Sequence, residues 1–140
     1  MIYVDTSILA AYYCPEPLSG RAQKVLQEAV DRAISSLVEL ELISAIARKV
    51  RTRQIRRKDA QRILNLFRSH LEQGTYTRLG VDAAHFAQAR EWLASLSVPL
   101  QTLDALHVAV AKMSGCSILT ADTVLAKACT KVGVAARLIR

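Results

Sequence analysis

The sequence has few of the residues that define several common classes of protein. Its 140 residues include three cysteines, three prolines and five glycines, and aromatic residues make up only 5% of the chain. The longest stretch without an acidic or basic residue, from Trp92 to Leu103, is too short to span a bilayer, and Asp5 stands where a secretory leader would carry positive charge. These absences argue against a membrane protein and a secreted disulfide scaffold.

The three cysteines, Cys14, Cys116 and Cys129, are odd in number, widely spaced and without a Cys-x-x-Cys pair. They indicate small core residues in a reducing compartment, and hence a cytoplasmic protein with no membrane association. None of the histidines stands at zinc-ligand spacing with them. Hydrophobic residues make up 51% of the chain, which excludes disorder and predicts a single domain over residues 1–140 that buries about two-thirds of its surface.

Positive charge is concentrated in one segment. The chain has 19 Lys and Arg against 12 Asp and Glu, a net charge of +7. Seven of these cations lie within eleven positions that contain no acid: Arg48, Lys49, Arg51, Arg53, Arg56, Arg57 and Lys58. Without them the chain has as many basic as acidic residues. This basic segment indicates a polyanionic partner such as nucleic acid, or else a solvated helix end.

Apolar runs and helical periodicity alternate along the chain. They predict strands over residues 1–4, 32–35, 76–79, 116–120 and 134–139. They predict helices over residues 6–13, 18–29, from 36 through 46 with fraying into the basic segment, 59–73, 82–96, 102–113 and 122–131. Strands that alternate with helices predict an α/β fold with a central, mainly parallel sheet covered on both faces.

Three aspartates are candidate site residues, and two of them stand where such a fold binds ligands. Asp5 and Asp122 directly follow predicted strands, and ligands bind at the carboxyl ends of parallel strands. A helix N-cap is the alternative interpretation for each. Asp104 lies in the first turn of a helix so apolar that it must be largely buried. A buried carboxylate needs a partner or a cation.

Two glutamates in the helix after Ser36 compete for a fourth position. Glu39 and Glu41 are about 200° apart around a helix, so they point to nearly opposite sides. Ser36 and Glu39 fit a capping box, which accounts for Glu39 locally and leaves Glu41 unexplained. Glu39 stays an alternative, because the angular positions place it near Leu42 and Ile46.

A cluster of these carboxylates requires a counter-charge. Like charges about 4 Å apart repel by roughly 4 kcal/mol at an effective dielectric constant of 20. An all-oxygen ligand set favours Mg²⁺ or Mn²⁺ over zinc.

Four segments together resemble the PIN-domain family, and more narrowly its VapC-type toxin ribonucleases. They are residues 1–9 (MIYVDTSIL), 41–48 (ELISAIAR), 102–109 (TLDALHVA) and 119–122 (LTAD), in family-like order and spacing over nearly the whole chain. The resemblance implies a PIN-like (Rossmann-like) α/β/α sandwich. It implies that the acidic set Asp5, Glu41, Asp104 and Asp122 surrounds Mg²⁺ or Mn²⁺, with hydroxyls from Thr6 or Ser7 and from Thr120 nearby.

The resemblance also implies an activity and partners. The activity is endonucleolytic cleavage of RNA, including structured RNA such as tRNA, and the partners are a cognate antitoxin protein and a second copy in a homodimer. RNA or an acidic antitoxin segment would then bind the basic segment. We expect His107, one helical turn after Asp104, to be a packed histidine near the site rather than a general acid or base.

Three other functions share parts of this sequence pattern, and each lacks support from the rest of it. A PIN-like module that binds RNA or protein without cutting is the main alternative, although it would not need all four acids. A receiver domain would need an adjacent acidic pair after the first strand, which Asp5 and Thr6 do not supply. A phosphatase with an Asp-x-Asp nucleophile is excluded because position 7 is Ser7.

Overall fold

A five-stranded parallel sheet forms the centre of the molecule. A computed structural model describes residues 1–140. The strands are β1 (Ile2–Val4), β2 (Arg32–Ser35), β3 (Thr77–Leu79), β4 (Ser117–Thr120) and β5 (Ala136–Leu138). Their order across the sheet is β3-β2-β1-β4-β5, and all four pairings are parallel. The predicted parallel sheet is confirmed.

Seven helices flank this sheet and form an α/β/α sandwich, as expected. They are α1 (Thr6–Tyr13), α2 (Ser19–Glu28), α3 (Ser36–Arg51), α4 (Arg57–Glu72), α5 (Ala83–Ala94), α6 (Thr102–Met113) and α7 (Thr123–Lys131). Every connection between neighbouring parallel strands contains at least one helix, because a parallel pair requires a crossover. None of the seven helices combines the length and hydropathy needed to cross a bilayer.

The strand order places a crevice at the centre of one sheet edge. From β1 the chain moves outward to β2 and β3, then returns to the other side of β1 for β4 and β5. The direction of winding therefore changes between β1 and β4. Ligands in doubly wound sheets bind beyond the carboxyl ends of the strands at this switch point. Asp5 and Asp122 follow β1 and β4 and thus border it.

The core is formed by apolar side chains from the sheet and the inner faces of the helices. One cluster of 29 buried residues contains most of it. Helix α6 is buried on every side from Ala105 to Ala111, as its apolar sequence predicts. Asp104 lies in the first turn of α6, close enough to Asp5 and Asp122 for their charges to act on it.

The local boundaries around the basic segment differ from the sequence prediction. Helix α3 does not fray after Ile46 but continues to Arg51. Two interactions stabilise its last turn. The cations there interact favourably with the negative end of the helix, and the Thr52 hydroxyl donates to the Arg48 carbonyl at 2.9 Å. Helix α4 begins at Arg57, two residues before the predicted start. The other boundaries differ from prediction by only one or two residues.

Candidate active site

Asp5 lies at the end of β1 and accepts hydrogen bonds from three donors. Asp5 as a whole is only 6% exposed. Oδ1 accepts from the backbone N–H of Thr6 at 2.8 Å, while Oδ2 accepts from the hydroxyls of Ser7 at 2.7 Å and Thr120 at 2.8 Å. A carboxylate offers about four acceptor positions. Three are occupied here, which leaves one on Oδ1 for a ligand.

Asp122 lies beside Asp5 at the end of the neighbouring strand and caps helix α7. Its Oδ1 accepts from the backbone N–H groups of Val124 and Leu125 at 2.8 and 3.2 Å. Its own N–H donates to the Thr120 hydroxyl at 3.0 Å. Thr120 therefore connects Asp122 to Asp5. Oδ2 of Asp122 makes no hydrogen bond within the protein and is available to a ligand.

Glu41 reaches the same region from α3. Its Oε1 accepts from the Thr6 hydroxyl at 2.7 Å and lies 2.5 Å from Nε2 of His107. Burial acts to raise the pKa of Glu41, but hydrogen bonding to His107 and Thr6 outweighs burial, so the pKa lies below its usual value. Glu41 is therefore held in the ionised form at neutral pH.

Asp104 is the least restrained of the four acids. Its half-buried carboxylate accepts no hydrogen bond from the protein. Burial raises the pKa of Asp104, and the negative charges of Asp122, Asp5 and Glu41 raise it further. Each of the other three acids thus lies close enough to act on Asp104. None of the four carboxylates forms a salt bridge with a Lys or Arg side chain.

Glu39 is directed away from this group. It forms a salt bridge with Arg78 of β3, with Nη2 and Nε at 2.7 and 3.2 Å from its two oxygens. The predicted capping box is wrong, because Ser35 and not Ser36 caps α3, and the Ser35 hydroxyl accepts from the N–H of Val38 at 3.3 Å. The two glutamates of α3 thus contact different parts of the molecule, Glu39 on β3 and Glu41 on α1 and α6.

A groove of about 570 Å³ opens beside Glu41 and Asp104. Its other lining residues come from the end of α5 and the segment leading into α6: Leu93, Leu100, Gln101, Thr102 and Leu103. Of these residues, the sequence had singled out only Thr102 and Leu103, which precede Asp104 in the segment 102–109. Leu93, Leu100 and Gln101 had not been singled out.

The basic segment forms a second feature, around the turn from α3 to α4. Arg53, Arg56 and Arg57 line a cavity of about 510 Å³. Arg56 occupies the N-cap position of α4 without a capping hydrogen bond, and Arg57 and Lys58 follow in the first turn. Cations are disfavoured at a positive helix end, so this arrangement favours an external anion.

Not every cation of the basic segment is free. Lys49 pairs with Glu16 at 3.1 Å, and Arg56 lies 3.7 Å from Asp59 in an exposed pair. Arg48, Arg51, Arg53, Arg57 and Lys58 form no ion pair within the protein. The free positive charge therefore lies mainly on the last turn of α3 and the first turn of α4.

The fold and the acids together define a class: a Rossmann-like α/β/α protein with a carboxylate cluster at the topological switch point of its sheet. The family model of the PIN domain matches residues 2–131. The chain therefore belongs to the PIN-domain family, a family of nucleases. No curated protein sequence matches it significantly.

Solved structures share this fold along nearly the whole chain. FitAcB from Neisseria gonorrhoeae is 24% identical with a TM-score of 0.71, covering 97% of this chain and 96% of its own. VapC20 from Mycobacterium tuberculosis, a toxin that cleaves the sarcin-ricin loop, is 21% identical with a TM-score of 0.70, covering 91% and 95%. A toxin–antitoxin complex from Klebsiella pneumoniae is 16% identical with a TM-score of 0.64, covering 88% of each chain.

Proposed function

We propose that this protein is a metal-dependent endoribonuclease that hydrolyses phosphodiester bonds in RNA, including structured RNA such as tRNA. The observation that supports this most directly is the state of Asp104. Its carboxylate is half-buried, near three other acids and without a hydrogen-bond donor. A negative charge in that position favours an external cation. A module that only binds RNA has no use for such an arrangement.

The donors suit Mg²⁺ or Mn²⁺. All of them are carboxylate or hydroxyl oxygens, which hard divalent cations prefer. Asp5, Asp104 and Asp122 would hold the ion, and Glu41 would take part directly or through a water. No three of the acidic, His or Cys side chains stand as a ready-made ligand set. A cation that keeps several of its waters needs few direct ligands, and Asp104 is unrestrained enough to turn toward it.

Each acidic residue has a separate role in the proposed hydrolysis. When bound, a divalent cation supplies charge neutralisation at the phosphodiester and a more acidic water. Asp5 cannot turn, because three hydrogen bonds hold it, and so provides a fixed point of attachment. Glu41, ionised and held by Thr6 and His107, orients a water or accepts its proton. Asp122 presents its unshared oxygen from the start of α7.

RNA binding is assigned to other parts of the molecule. The acidic cluster by itself repels phosphate, so it cannot attract RNA before the cation is bound. The free cations at the α3–α4 turn supply the attraction, and the groove beside Glu41 and Asp104 provides space next to the carboxylates. Base stacking contributes little, since tyrosines such as Tyr3, Tyr13 and Tyr76 are buried.

We further propose that the protein is the toxin of a toxin–antitoxin pair. The similarity of fold to a toxin that cleaves the sarcin-ricin loop and to a toxin–antitoxin complex supports this. A cognate antitoxin would then be its protein partner, and we expect a homodimer that acts in the cytoplasm.

The central test is cleavage of labelled tRNA by the purified full chain with Mg²⁺, with Mn²⁺ and with EDTA. Asp5→Asn is the test variant and Asp31→Asn the matched control, because Asp31 is exposed and precedes β2 at the opposite end of the sheet. We expect wild type and the control to cleave only with a divalent cation, and Asp5→Asn to be folded and inactive. Cleavage by Asp5→Asn would overturn the site, and RNA binding without cleavage by wild type would favour the non-catalytic module.

A further inference from the structure

A buried line of polar side chains leads from the start of α3 to the carboxylate of Glu41. Oγ of Ser35 lies 2.7 Å from Oη of Tyr3, and that Oη lies 2.6 Å from Nδ1 of His107. Nε2 of His107 lies 2.5 Å from Oε1 of Glu41. Ser35, Tyr3 and His107 are at most 1% exposed. Apolar residues could fill the same space without the cost of burying polar groups, so this polar line requires an explanation.

The direction of the protons along the line follows from the acceptors available to the Ser35 hydroxyl. The backbone N–H of Val38 donates to Oγ of Ser35. The Ser35 hydroxyl proton then has Oη of Tyr3 as its only acceptor. Tyr3 accepts that hydrogen bond and donates its own proton to Nδ1 of His107. Because an accepting Nδ1 carries no proton, the ring proton of His107 lies on Nε2, which donates to Glu41.

The opposite direction is unfavourable. If Nδ1 of His107 donated to Tyr3, then Tyr3 would donate to Ser35, and the Ser35 hydroxyl proton would be buried without an acceptor. A buried unsatisfied donor costs about 1–3 kcal/mol.

We infer that Ser35, Tyr3 and His107 form a one-directional hydrogen-bond relay that fixes the Nε2–H tautomer of His107 and thereby holds the Glu41 carboxylate in place. Thr6 donates to the same oxygen of Glu41, so both bonds engage Oε1 and leave Oε2 for water or a cation. His107 is a positioning residue, because neither ring nitrogen is free to exchange a proton with substrate.

The catalytic consequence of the relay rests on the proposed ribonuclease function, whereas its hydrogen-bond direction does not. The first test is therefore independent of activity. In ¹⁵N NMR of the metal-free full chain, we expect His107 to be protonated at Nε2 and bare at Nδ1. Tyr3→Phe should remove the upfield displacement that an accepted hydrogen bond gives to Nδ1, while Nε2 stays protonated. A His107 ring protonated at Nδ1 in wild type would overturn the relay.

The second test is a pair of substitutions that place an amide at one ring nitrogen or the other. The glutamine amide of His107→Gln reaches the position of Nε2 and can donate to Glu41, whereas the shorter His107→Asn reaches only the position of Nδ1. We expect His107→Asn to lower kcat about 10- to 100-fold with little change in KM, and His107→Gln to recover most of this loss. A purely structural role predicts equal kcat for the folded fraction of both variants, and that result would overturn positioning.

The two tests separate the possible failures. If wild type fails to cleave RNA while the NMR tautomer is as expected, the proposed function fails and the relay stands. If wild type cleaves RNA but the tautomer is wrong, or both variants retain full kcat, the relay fails and the function stands. Thermal unfolding of each variant gives the folded fraction for these comparisons.

Discussion

The hydroxyl of Thr120 donates to Oδ2 of Asp5 across 2.8 Å, although 115 positions separate the two residues. It also accepts the N–H of Asp122 at 3.0 Å. One buried hydroxyl thus fixes the relative positions of two acids on neighbouring strands. The adjacency of β1 and β4 in the sheet makes this contact possible.

Thr120→Val should test this bridge, since valine has nearly the same shape but no hydroxyl. The Asp122 N–H and one oxygen of Asp5 would each lose a partner, so we expect a loss of about 1–3 kcal/mol in the free energy of unfolding. RNA cleavage should fall about 10- to 100-fold. Thr130→Val, at an exposed threonine of α7, is the control and should change stability by less than about 0.5 kcal/mol. Equal effects of the two substitutions would argue against the bridge.

Glu39 and Glu41 provide a matched pair on one helix. Glu41→Gln should lower cleavage about 100-fold or more, because the ionised carboxylate beside Asp104 is lost. Glu39→Gln should leave cleavage intact and remove only the salt bridge with Arg78, a surface pair worth about 1 kcal/mol or less. Initial rates and urea unfolding of both variants test this, and an inactive Glu39→Gln would reassign the fourth acid.

Asp104→Asn should make the metal-free protein more stable while it abolishes cleavage. Since the folded protein holds the Asp104 proton more tightly than the unfolded chain, the folded state is favoured at low pH. This advantage is lost as pH rises through the raised pKa. The gain in Tm of Asp104→Asn should therefore be small near pH 4 and larger at pH 7 in EDTA.

Asp31→Asn is the control for this pH series and should show no such trend. Added Mn²⁺ should raise the Tm of wild type more than that of Asp104→Asn, because a ligand that binds the folded state stabilises it. If the Tm of Asp104→Asn were below that of wild type at pH 7 in EDTA, the ionised Asp104 carboxylate would not be destabilising the metal-free protein, and this prediction would be wrong.

The basic segment should determine the salt dependence of RNA binding. In an Asp5→Asn background, which prevents cleavage, log Kd should vary steeply with log salt. Arg53→Ala combined with Arg57→Ala should reduce the slope by about 0.7 for each phosphate that the protein no longer neutralises. Arg21→Ala combined with Lys24→Ala, on exposed positions of α2, removes the same charge and should leave the slope nearly unchanged. Equal slopes in both double variants would indicate that the basic segment is a solvated surface that does not bind RNA.

Local pattern was sufficient for much of the fold, whereas the set of four acids also depended on the family resemblance. Alternating apolar runs and helical periods predicted every strand and helix, and the apolar sequence of α6 drew attention to Asp104, which is half-buried in the structure. The preference for Glu41 over Glu39 rested on a capping box that α3 does not form, whereas the angular positions had left Glu39 as an alternative. These inferences depend on residues close together in the chain.

What the sequence did not reveal depends on distant contacts. The relay through Tyr3 and Ser35 exists because β1 pairs with β2 in a register that sets Tyr3 opposite Ala33, and a one-residue slip would turn Tyr3 to the other face. The N-cap of α3 was assigned to the wrong serine for a similar reason. Either Ser35 or Ser36 suits an N-cap, and α3 begins where the pairing of β2 with β3 ends, at Ser35. Glu39 has a partner on β3 that no local motif predicts.

The four acids come from positions 5, 41, 104 and 122, on separate elements of the fold. A chain still on the ribosome, with β4 and α7 not yet released, has neither Asp122 nor the strand that holds Thr120 against Asp5. Such a nascent chain lacks one of the four acids and the hydroxyl that contacts another. A protein that cuts RNA by this cluster would therefore be inert until β4 has paired with β1.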